Sequence, residues 1–345
     1  MDNQKFFTYN EIIKQPKLWQ NIFHDSALIY DIELNKINYE DTSVIFIGCG
    51  SSYYIAQSAS SMFNRTTKGI SIALPASEII FNKKDYIKED KTYLAIMISR
   101  SGTTSEVLLA NKELSDSVNV KRYSISCSNE SELLRNTIPF CKFPFEQERS
   151  IVMTGSFSSM LLVVLLNLIK NYDDNSIADS LNEVEKFLNS NESTIKNIVS
   201  DLSIEHLVFL GQGINYGIAN EAALKMTEMS LSNAVAFHSL EYRHGPKSII
   251  TKKSLVTILV SNLSKDYELK LVDDMKTLGA KTLVICTKNE SEKFNSDYKI
   301  TIPNIDDLYR PFFILPIIQL AGFFRAISKG LNPDLPKNLT AVVEL

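Results

Sequence analysis

The sequence predicts an α/β fold in which one domain type, built on a parallel five-stranded sheet, occurs twice. Two observations support this prediction. Short apolar runs typical of buried strands alternate with segments of helical period, and the landmarks of the first half return about 160 residues later. Landmarks that recur in the same order at a nearly constant offset indicate a tandem duplication.

The repeat is clearest at two apolar runs that each end in Gly-x-Gly, with a tyrosine three residues after the second glycine. These runs are residues 44–53 and 207–216, which lie 163 residues apart. Three further pairs follow in the same order: residues 94–99 with 256–261, 121–127 with 281–287, and 138–143 with 298–303.

The strands of the first copy are continuously apolar, which is the pattern of parallel strands buried on both faces. They are predicted at residues 44–47, 70–73, 93–98, 122–125 and 140–143, with helices at 9–23, 104–114 and 156–170. The resulting domain prediction is an N-terminal helical segment at 1–40, a first domain at 41–172, a helical connector at 173–203, a second domain at 204–330 and a tail at 331–345.

The charge balance argues against a nucleic-acid partner. The chain has 36 basic and 40 acidic residues, a net charge of −4, and no basic block. An anionic substrate therefore needs a local binding site. The four cysteines form no C-x-x-C pair and are expected to be reduced core thiols, and the 4 histidines are scattered. We expect no metal and no redox cofactor.

The two longest apolar stretches, residues 160–169 and 311–327, are predicted to be buried helices. The first is too short to span a bilayer, and the second contains Pro316, Gln319 and Arg325. The polar N-terminus shows no signal-peptide pattern. The expected location is the cytoplasm, with no membrane partner.

Ligands of open parallel sheets bind outside the carboxyl ends of the strands, so the loops there are the candidate sites. The first is Gly48-Cys49-Gly50-Ser51-Ser52. A dinucleotide is disfavoured because a third glycine is absent and no acidic residue ends the second strand.

The second loop runs from Ser99 to Glu106 and contains five hydroxyl side chains, one glycine and Arg100. It follows a buried strand and opens a helix, whose free N–H groups and partial positive charge suit a phosphate. Without a P-loop motif, a single phosphomonoester is favoured. The alternative is a helix cap formed by Thr103 and Glu106, and both can hold together.

In the second copy, Glu221, Lys225 and Glu228 share one helix face and are expected to point into a site. A solvated ion-pair face is the alternative. The following segment contains His238 and His244, the latter beside Gly245-Pro246. His244 suits proton transfer near neutral pH but is equally compatible with a structural turn, and His238 is the less distinctive of the two.

The motifs G-C-G-S-S, S-x-S-G-x-T, E-A-A-L-K-x-x-E and R-H-G-P together resemble those of tandem sugar isomerase (SIS) domain proteins. This family includes the isomerase half of glucosamine-6-phosphate synthase, amino-sugar-phosphate deaminases and ketosamine-phosphate deglycases. The resemblance extends from about residue 40 to the end. It implies two flavodoxin-like αβα domains, a phosphorylated sugar as ligand, and a homodimer.

The resemblance also implies roles for individual residues. Glu228 matches the carboxylate that moves a proton between C1 and C2 of the sugar. His244 matches the histidine associated with ring opening, which in the family can be donated across the dimer interface. Glu221 and Lys225 match supporting polar residues. Substrate and phosphate binding would fall to Gly50, Ser51, Ser52, Ser99, Arg100, Ser101 and Thr104.

Two positions depart from the family pattern. Ala341 stands where the synthase has a Schiff-base lysine, although Lys337 is nearby, and Gly155 stands where relatives often carry a basic residue. Segments 11–19 and 243–248 most resemble the amino-sugar-phosphate deaminase/isomerase branch of the family, and the missing lysine agrees with that branch. We therefore expect an enzyme that converts glucosamine 6-phosphate or galactosamine 6-phosphate into a ketose 6-phosphate and ammonia.

Two alternatives remain open from the sequence. One is a deglycase acting on ketosamine 6-phosphates of the fructoselysine type, which uses a similar Glu and His pair. The other is a non-catalytic sugar-phosphate sensor. A sensor is disfavoured because residues 1–40 hold about one helix, too little for a helix-turn-helix.

Overall fold

The computed structural model describes residues 3–24, 34, 37–141, 148–169 and 174–340. Contacts between Cα atoms divide the chain into two compact units, each built on one sheet. The first-sheet unit comprises Lys17–Glu148, Gly155–Asp174 and Thr340–Leu345, and the second-sheet unit comprises Met1–Pro16, Arg149–Thr154 and Asn175–Leu339. The domain boundaries proposed from the sequence stay a prediction.

The first sheet follows an N-terminal helix and alternates strands with helices. From the N-terminus to α6 the elements are, in chain order, α1 (Phe7–His24), whose residues up to Pro16 belong to the second-sheet unit, β1 (Thr42–Gly48), α2 (Ser51–Thr66), β2 (Ser71–Pro75), α3 (Ala76–Tyr86), β3 (Thr92–Ile98), α4 (Ser105–Ser115), β4 (Val120–Ile125), α5 (Glu132–Arg135), β5 (Ile138–Pro139) and α6 (Gly155–Leu168).

This sheet has five parallel strands in the order β2-β1-β3-β4-β5. Strands β1 and β3 are central, and their apolar runs are buried, as continuous apolar patterning predicts. The order 2-1-3-4-5 is that of flavodoxin-like folds, and its switch point lies between β1 and β3.

The fifth strand is shifted from its predicted position. It was expected at residues 140–143, but β5 pairs with β4 through Ile138 and Pro139. Phe140 and Cys141 are buried, which explains the prediction, while the ladder itself forms two residues earlier. Pro139 is tolerated because β5 is an edge strand. Residues 142–143 lie outside the described residues.

The second-sheet unit repeats this architecture. Its elements are α7 (Asp174–Val199), β6 (His206–Gly211), α8 (Ile214–Ser230), β7 (Asn233–His238), β8 (Ser254–Leu259), α9 (Lys265–Thr277), β9 (Lys281–Thr287), β10 (Tyr298–Ile302) and α10 (Arg310–Ser328). The five strands are parallel in the order β7-β6-β8-β9-β10, which is again 2-1-3-4-5. The predicted pair of related α/β sheets is therefore confirmed.

Helix α10 is the apolar core helix of the second-sheet unit. Among the described residues it is the one helix long and apolar enough to cross a membrane, and 89% of that apolar window is buried inside the protein. Its buried Arg325 donates hydrogen bonds to the carbonyl oxygens of Val199, Asp201 and Ile204. These bonds satisfy a charge that would otherwise be costly to bury.

Helix α10 also fixes the position of α8, because the two pack at Gly322. A Cβ atom at Gly322 would lie 2.5 Å from the methyl group of Met229 and 3.0 Å from the carbonyl oxygen of Lys225. Glycine therefore permits the close approach of the helix that carries Glu221, Lys225 and Glu228.

Candidate functional site

The switch point of the first sheet is framed by the loops after β1 and β3. After β1, a Cβ atom at Gly48 would lie 2.5 Å from the backbone of Ser52, so glycine lets α2 approach the strand end. Gly50 has φ +54° and precedes α2. Ser51 and Ser52 are buried in the first turn of α2, at the helix end that favours anions.

The loop after β3 brings the predicted phosphate-binding hydroxyls together. Ser99 Oγ lies 3.1 Å from Thr104 Oγ1 and accepts a hydrogen bond of 3.1 Å from the N–H of Gly102. Ser101 Oγ accepts from the N–H and the hydroxyl of Thr103 at 3.2 and 3.0 Å. In the described part of the chain, these four hydroxyls bond to each other and to backbone N–H groups.

Gly102 is required by this loop for two reasons. Its φ is +67°, a conformation that L side chains rarely adopt, and a Cβ atom there would lie 2.1 Å from Ser131 Oγ. The capping box of Thr103 with Glu106 is wrong, because Thr104 is the residue before α4 and its side chain makes no capping bond. The loop therefore contains more hydroxyl side chains than the capping of α4 requires.

Arg100 reaches a carboxylate that sequence reasoning missed. Its Nη1 atom lies 3.5 Å from Glu148 Oε2. Glu148 also accepts hydrogen bonds from the N–H of Ser156, at 3.0 Å, and from the Ser156 hydroxyl, at the start of α6. No spacing in the sequence links Glu148 to Arg100, because the two are brought together by tertiary structure. Gly155 opens α6 and supplies no side chain here.

In the second-sheet unit, Glu221, Lys225 and Glu228 form one buried ion-pair cluster. Glu221 is 0% and Lys225 is 1% exposed, whereas Glu228 is 18% exposed. Lys225 Nζ lies 2.5 Å from Glu228 Oε2 and 3.4 Å from Glu221 Oε1. The alternative of a solvated ion-pair face is therefore wrong.

Lys225 stays protonated in this environment. Burial alone would lower the pKa of its amine, but the coulombic attraction of Glu221 and Glu228 outweighs burial and raises the pKa. The ammonium group thus fixes the Glu228 carboxylate, the member of the cluster that is accessible to a ligand.

His244 lies in a turn after β7. A 3₁₀ turn at Glu241–Arg243 precedes it, and its N–H donates to the carbonyl oxygen of Glu241 at 3.0 Å. The side chain is exposed, and Gly245 follows with φ +124°. His238 ends β7 and stacks on Tyr216, with ring centroids 3.6 Å apart, and burial lowers its pKa.

The loop after β8 corresponds to the loop after β3, with Ser261 in place of Ser99, but its donors are already occupied. The Ser261 hydroxyl and the Asn262 N–H both donate to Asp307 at 3.0 Å. The Ser261 N–H donates to Glu268 at 3.1 Å. Arg310 Nε lies 2.9 Å from Asp307 Oδ1. Sequence reasoning missed both carboxylates: Asp307 is distant in the chain, and Glu268 forms no recognisable motif with Ser261, seven residues before it.

Other predicted features carry less information. Lys337 is exposed, and Ala341 lies outside the described residues. Cys141 and Cys286 are buried, whereas Cys49 and Cys127 are only partly buried, and all four are free. Within the described ranges, no three His, Cys, Asp or Glu side chains are grouped so that they could hold a metal ion.

The chain matches the model of the SIS domain over residues 37–169 and 202–307. The chain is similar to the structure of a glucosamine-6-phosphate deaminase from Thermotoga maritima, with 33% sequence identity and a TM-score of 0.84. The alignment covers 98% of this chain and 100% of the Thermotoga maritima chain.

Two sequence relatives also carry names that refer to sugar 6-phosphates. Glutamine–fructose-6-phosphate aminotransferase (isomerizing) of Sulfolobus acidocaldarius is 29% identical over 98% of this chain, which spans only 56% of that relative. A Streptomyces coelicolor protein with the provisional name D-galactosamine-6-phosphate deaminase is 26% identical over 97% of this chain and 92% of its own length. With two matched segments that cover both sheets, this chain belongs to the SIS domain family.

Proposed function

We propose that the chain is an amino-sugar-6-phosphate deaminase that converts glucosamine 6-phosphate or galactosamine 6-phosphate into a ketose 6-phosphate and ammonia. The observation that carries the proposal is the partly exposed Glu228 carboxylate, held at 2.5 Å by the wholly buried Lys225. Such a carboxylate can act first as a base and then as an acid. Similarity to the Thermotoga maritima deaminase over its full length supports the choice of reaction.

The first-sheet unit supplies the phosphate site in this proposal. Ser99, Ser101 and Thr104 offer hydroxyls at the carboxyl end of β3, beside the N–H groups that open α4. Ser52 and the start of α2 contribute from the loop after β1, together with Gly50 and Ser51. Arg100 adds a positive charge, which Glu148 holds near the start of α6.

The reaction needs two proton transfers and one hydrolysis. Glu228 removes the C2 proton of the open-chain amino sugar and returns it to C1. A second proton passes from the amine nitrogen to the C1 oxygen, so the aldehyde and amine become a C1 alcohol and a C2 imine. Water adds to the C2 imine, and expulsion of ammonia leaves the ketose 6-phosphate. His244 assists ring opening by transferring a proton between the ring oxygen and the C1 hydroxyl.

These steps require no Schiff-base lysine, which agrees with Ala341 at the corresponding tail position. Lys225 cannot replace the Schiff-base lysine as a nucleophile, because it is protonated and buried between two carboxylates. An ammonium group is not nucleophilic. Its role is to hold Glu228.

The direct test is an ammonia-release assay with glucosamine 6-phosphate and galactosamine 6-phosphate, with ketose 6-phosphate measured in parallel. Glu228→Gln should abolish turnover and leave binding of a sugar 6-phosphate largely intact. The matched control is Glu205→Gln, an exposed carboxylate of the same unit that pairs with Lys253 at 2.6 Å. Folded protein that releases ammonia from neither substrate would refute the proposal.

The same samples separate the alternatives. Turnover of fructoselysine 6-phosphate without turnover of either amino sugar would identify a deglycase. Tight binding of a sugar 6-phosphate without turnover of any of the three would identify a sensor.

We further propose a cytoplasmic homodimer in which His244 of the partner subunit serves the site. The exposed position of His244 in its turn supports this arrangement. Mixing Glu228→Gln chains with His244→Ala chains, after dissociation and reassembly, should raise activity well above the residual activity of His244→Ala alone. A monomer by sedimentation, or no restored activity in a verified mixed dimer, would contradict it.

A further inference from the structure

We propose that helix α9 positions the turn carrying His244, and that Glu268 is the residue through which it acts. The inference deepens the function proposed above, because it rests on the role given there to His244. Glu268 is 0% exposed, so it is a positioning residue and does not touch a substrate.

The first anchor lies where the chain leaves β7. The buried Ser239 donates its N–H to the carbonyl oxygen of Gly211 at 3.3 Å and its hydroxyl to Glu268 Oε1 at 2.8 Å. Glu268 Oε2 accepts the N–H of Ser261 at 3.1 Å. One carboxylate therefore ties the start of the His244 turn to the end of β8.

The second anchor lies immediately before His244. Arg243 Nη2 pairs with Asp274 Oδ2 of the same helix at 2.7 Å. Between the two anchors, Tyr242 is wholly buried in the core cluster of this unit, with its ring 5.3 Å from that of Phe237. Helix α9 thus holds both ends of the five-residue segment 239–243, whose fourth residue, Tyr242, is packed in the core.

The two anchors differ in strength. Arg243 and Asp274 are each one-third exposed, and such pairs contribute little. Glu268 is wholly buried and accepts two hydrogen bonds, and the loss of a buried acceptor is costly. The charge of Asp307 also acts on Glu268, and Arg310 Nε lies 2.9 Å from the Asp307 carboxylate.

Loss of the Glu268 carboxylate would leave the Ser239 hydroxyl and the Ser261 N–H without their acceptor. The start of the turn would then keep only the 3.3 Å bond from the Ser239 N–H to Gly211, while Tyr242 stayed in the core. A displacement of about 1 Å in a catalytic group can lower turnover by about 100-fold. Because Glu268 acts through His244 in this proposal, the loss should disappear once His244 is gone.

The test is a double-mutant cycle. Glu268→Ala should lower kcat roughly 10- to 100-fold with a small change in KM, and Ser239→Ala should do so less strongly. Glu268→Gln, which can bond to both partners, should restore most of the activity. In a His244→Ala background, Glu268→Ala should cause no further loss. If the double variant loses kcat by the product of the two single-variant losses, the two residues act independently and the proposal is overturned.

Amide hydrogen exchange gives a readout that does not depend on the deaminase assay. Ser239→Ala and Glu268→Ala should speed exchange at residues 239–245 in otherwise folded protein. The control is Asp297→Asn, which removes a carboxylate bonded to the Thr282 N–H at 2.8 Å in the same unit. If amide exchange at residues 239–245 is unchanged in folded Ser239→Ala, the positioning role of Glu268 is overturned. If the wild type has no deaminase activity but exchange is faster in the variants, only the proposed deaminase function is overturned.

Discussion

The protonation of Glu268 should make the stability of this chain depend on pH in a direction opposite to that of most carboxylates. Burial raises the pKa of Glu268 from 4.5 to about 7, against hydrogen bonds from Ser239 and Ser261 that lower it. The native state therefore binds this proton more tightly than the unfolded chain does. The resulting stabilisation is fully present below pH 4.5 and is lost as the pH rises through 7.

The size of the effect follows from the two pKa values. A difference of one pKa unit corresponds to about 1.4 kcal/mol, so the shift from 4.5 to about 7 is worth about 3 kcal/mol. Glu268→Gln removes the titration and keeps the shape of the side chain. The variant should match the wild type at pH 4.5 and be more stable by about 3 kcal/mol at pH 8.5.

Urea unfolding of both proteins at pH 4.5, 6, 7 and 8.5, followed by far-UV circular dichroism, measures this difference. Titrations shared by the two proteins cancel in the comparison. Asp297→Asn is the opposite control: although burial opposes ionisation of Asp297, hydrogen bonds from Thr282 lower its pKa, so its contribution is lost as the pH falls. A stability difference between Glu268→Gln and wild type that is constant with pH would refute the reasoning.

Three further substitutions test the site. Gly102→Ala should weaken binding of sugar 6-phosphates at least 10-fold by calorimetry, because its Cβ would lie 2.1 Å from the Ser131 hydroxyl at a positive φ. Lys225→Met should cost about 3–5 kcal/mol in urea unfolding by leaving buried carboxylates uncompensated, whereas the partly exposed Lys281→Met should cost about 1 kcal/mol or less. Gly322→Ala should displace α8 and lower the thermal midpoint by several degrees, since its Cβ would lie 3.0 Å from a carbonyl oxygen of that helix.

Much of the fold could be predicted because its signals are local. Continuous apolar runs of four to six residues marked the central strands, and the recurrence of Gly-x-Gly after β1 and β6 revealed the duplication. The edge strand β5 was misplaced because burial and ladder pairing occupy different residues there: Phe140 is buried, but Ile138 and Pro139 pair. A local apolar pattern reports burial and not hydrogen-bond register.

The candidate site was predictable only where its residues are close in sequence. The hydroxyls of Ser99 to Thr104 and the cluster of Glu221, Lys225 and Glu228 each lie within one loop or two helical turns. Glu148 and Glu268 were not found because Arg100 and Ser239, the partners that link them to the site, are distant from them in the chain. A single acidic residue that acts across a tertiary contact leaves no pattern in one sequence.

The carboxylates at the end of β8 have a consequence for the two copies of the duplicated fold. In the second copy, Asp307 and Glu268 accept the hydrogen bonds at the strand end that an external anion would need, and Arg310 pairs with Asp307. The acceptors for that loop are thus part of the polypeptide, and an external anion would have to displace them. The duplicated fold therefore has one phosphate-binding loop per chain, the loop after β3, and not two. Titration of the protein with a phosphate ester should saturate at one equivalent per chain.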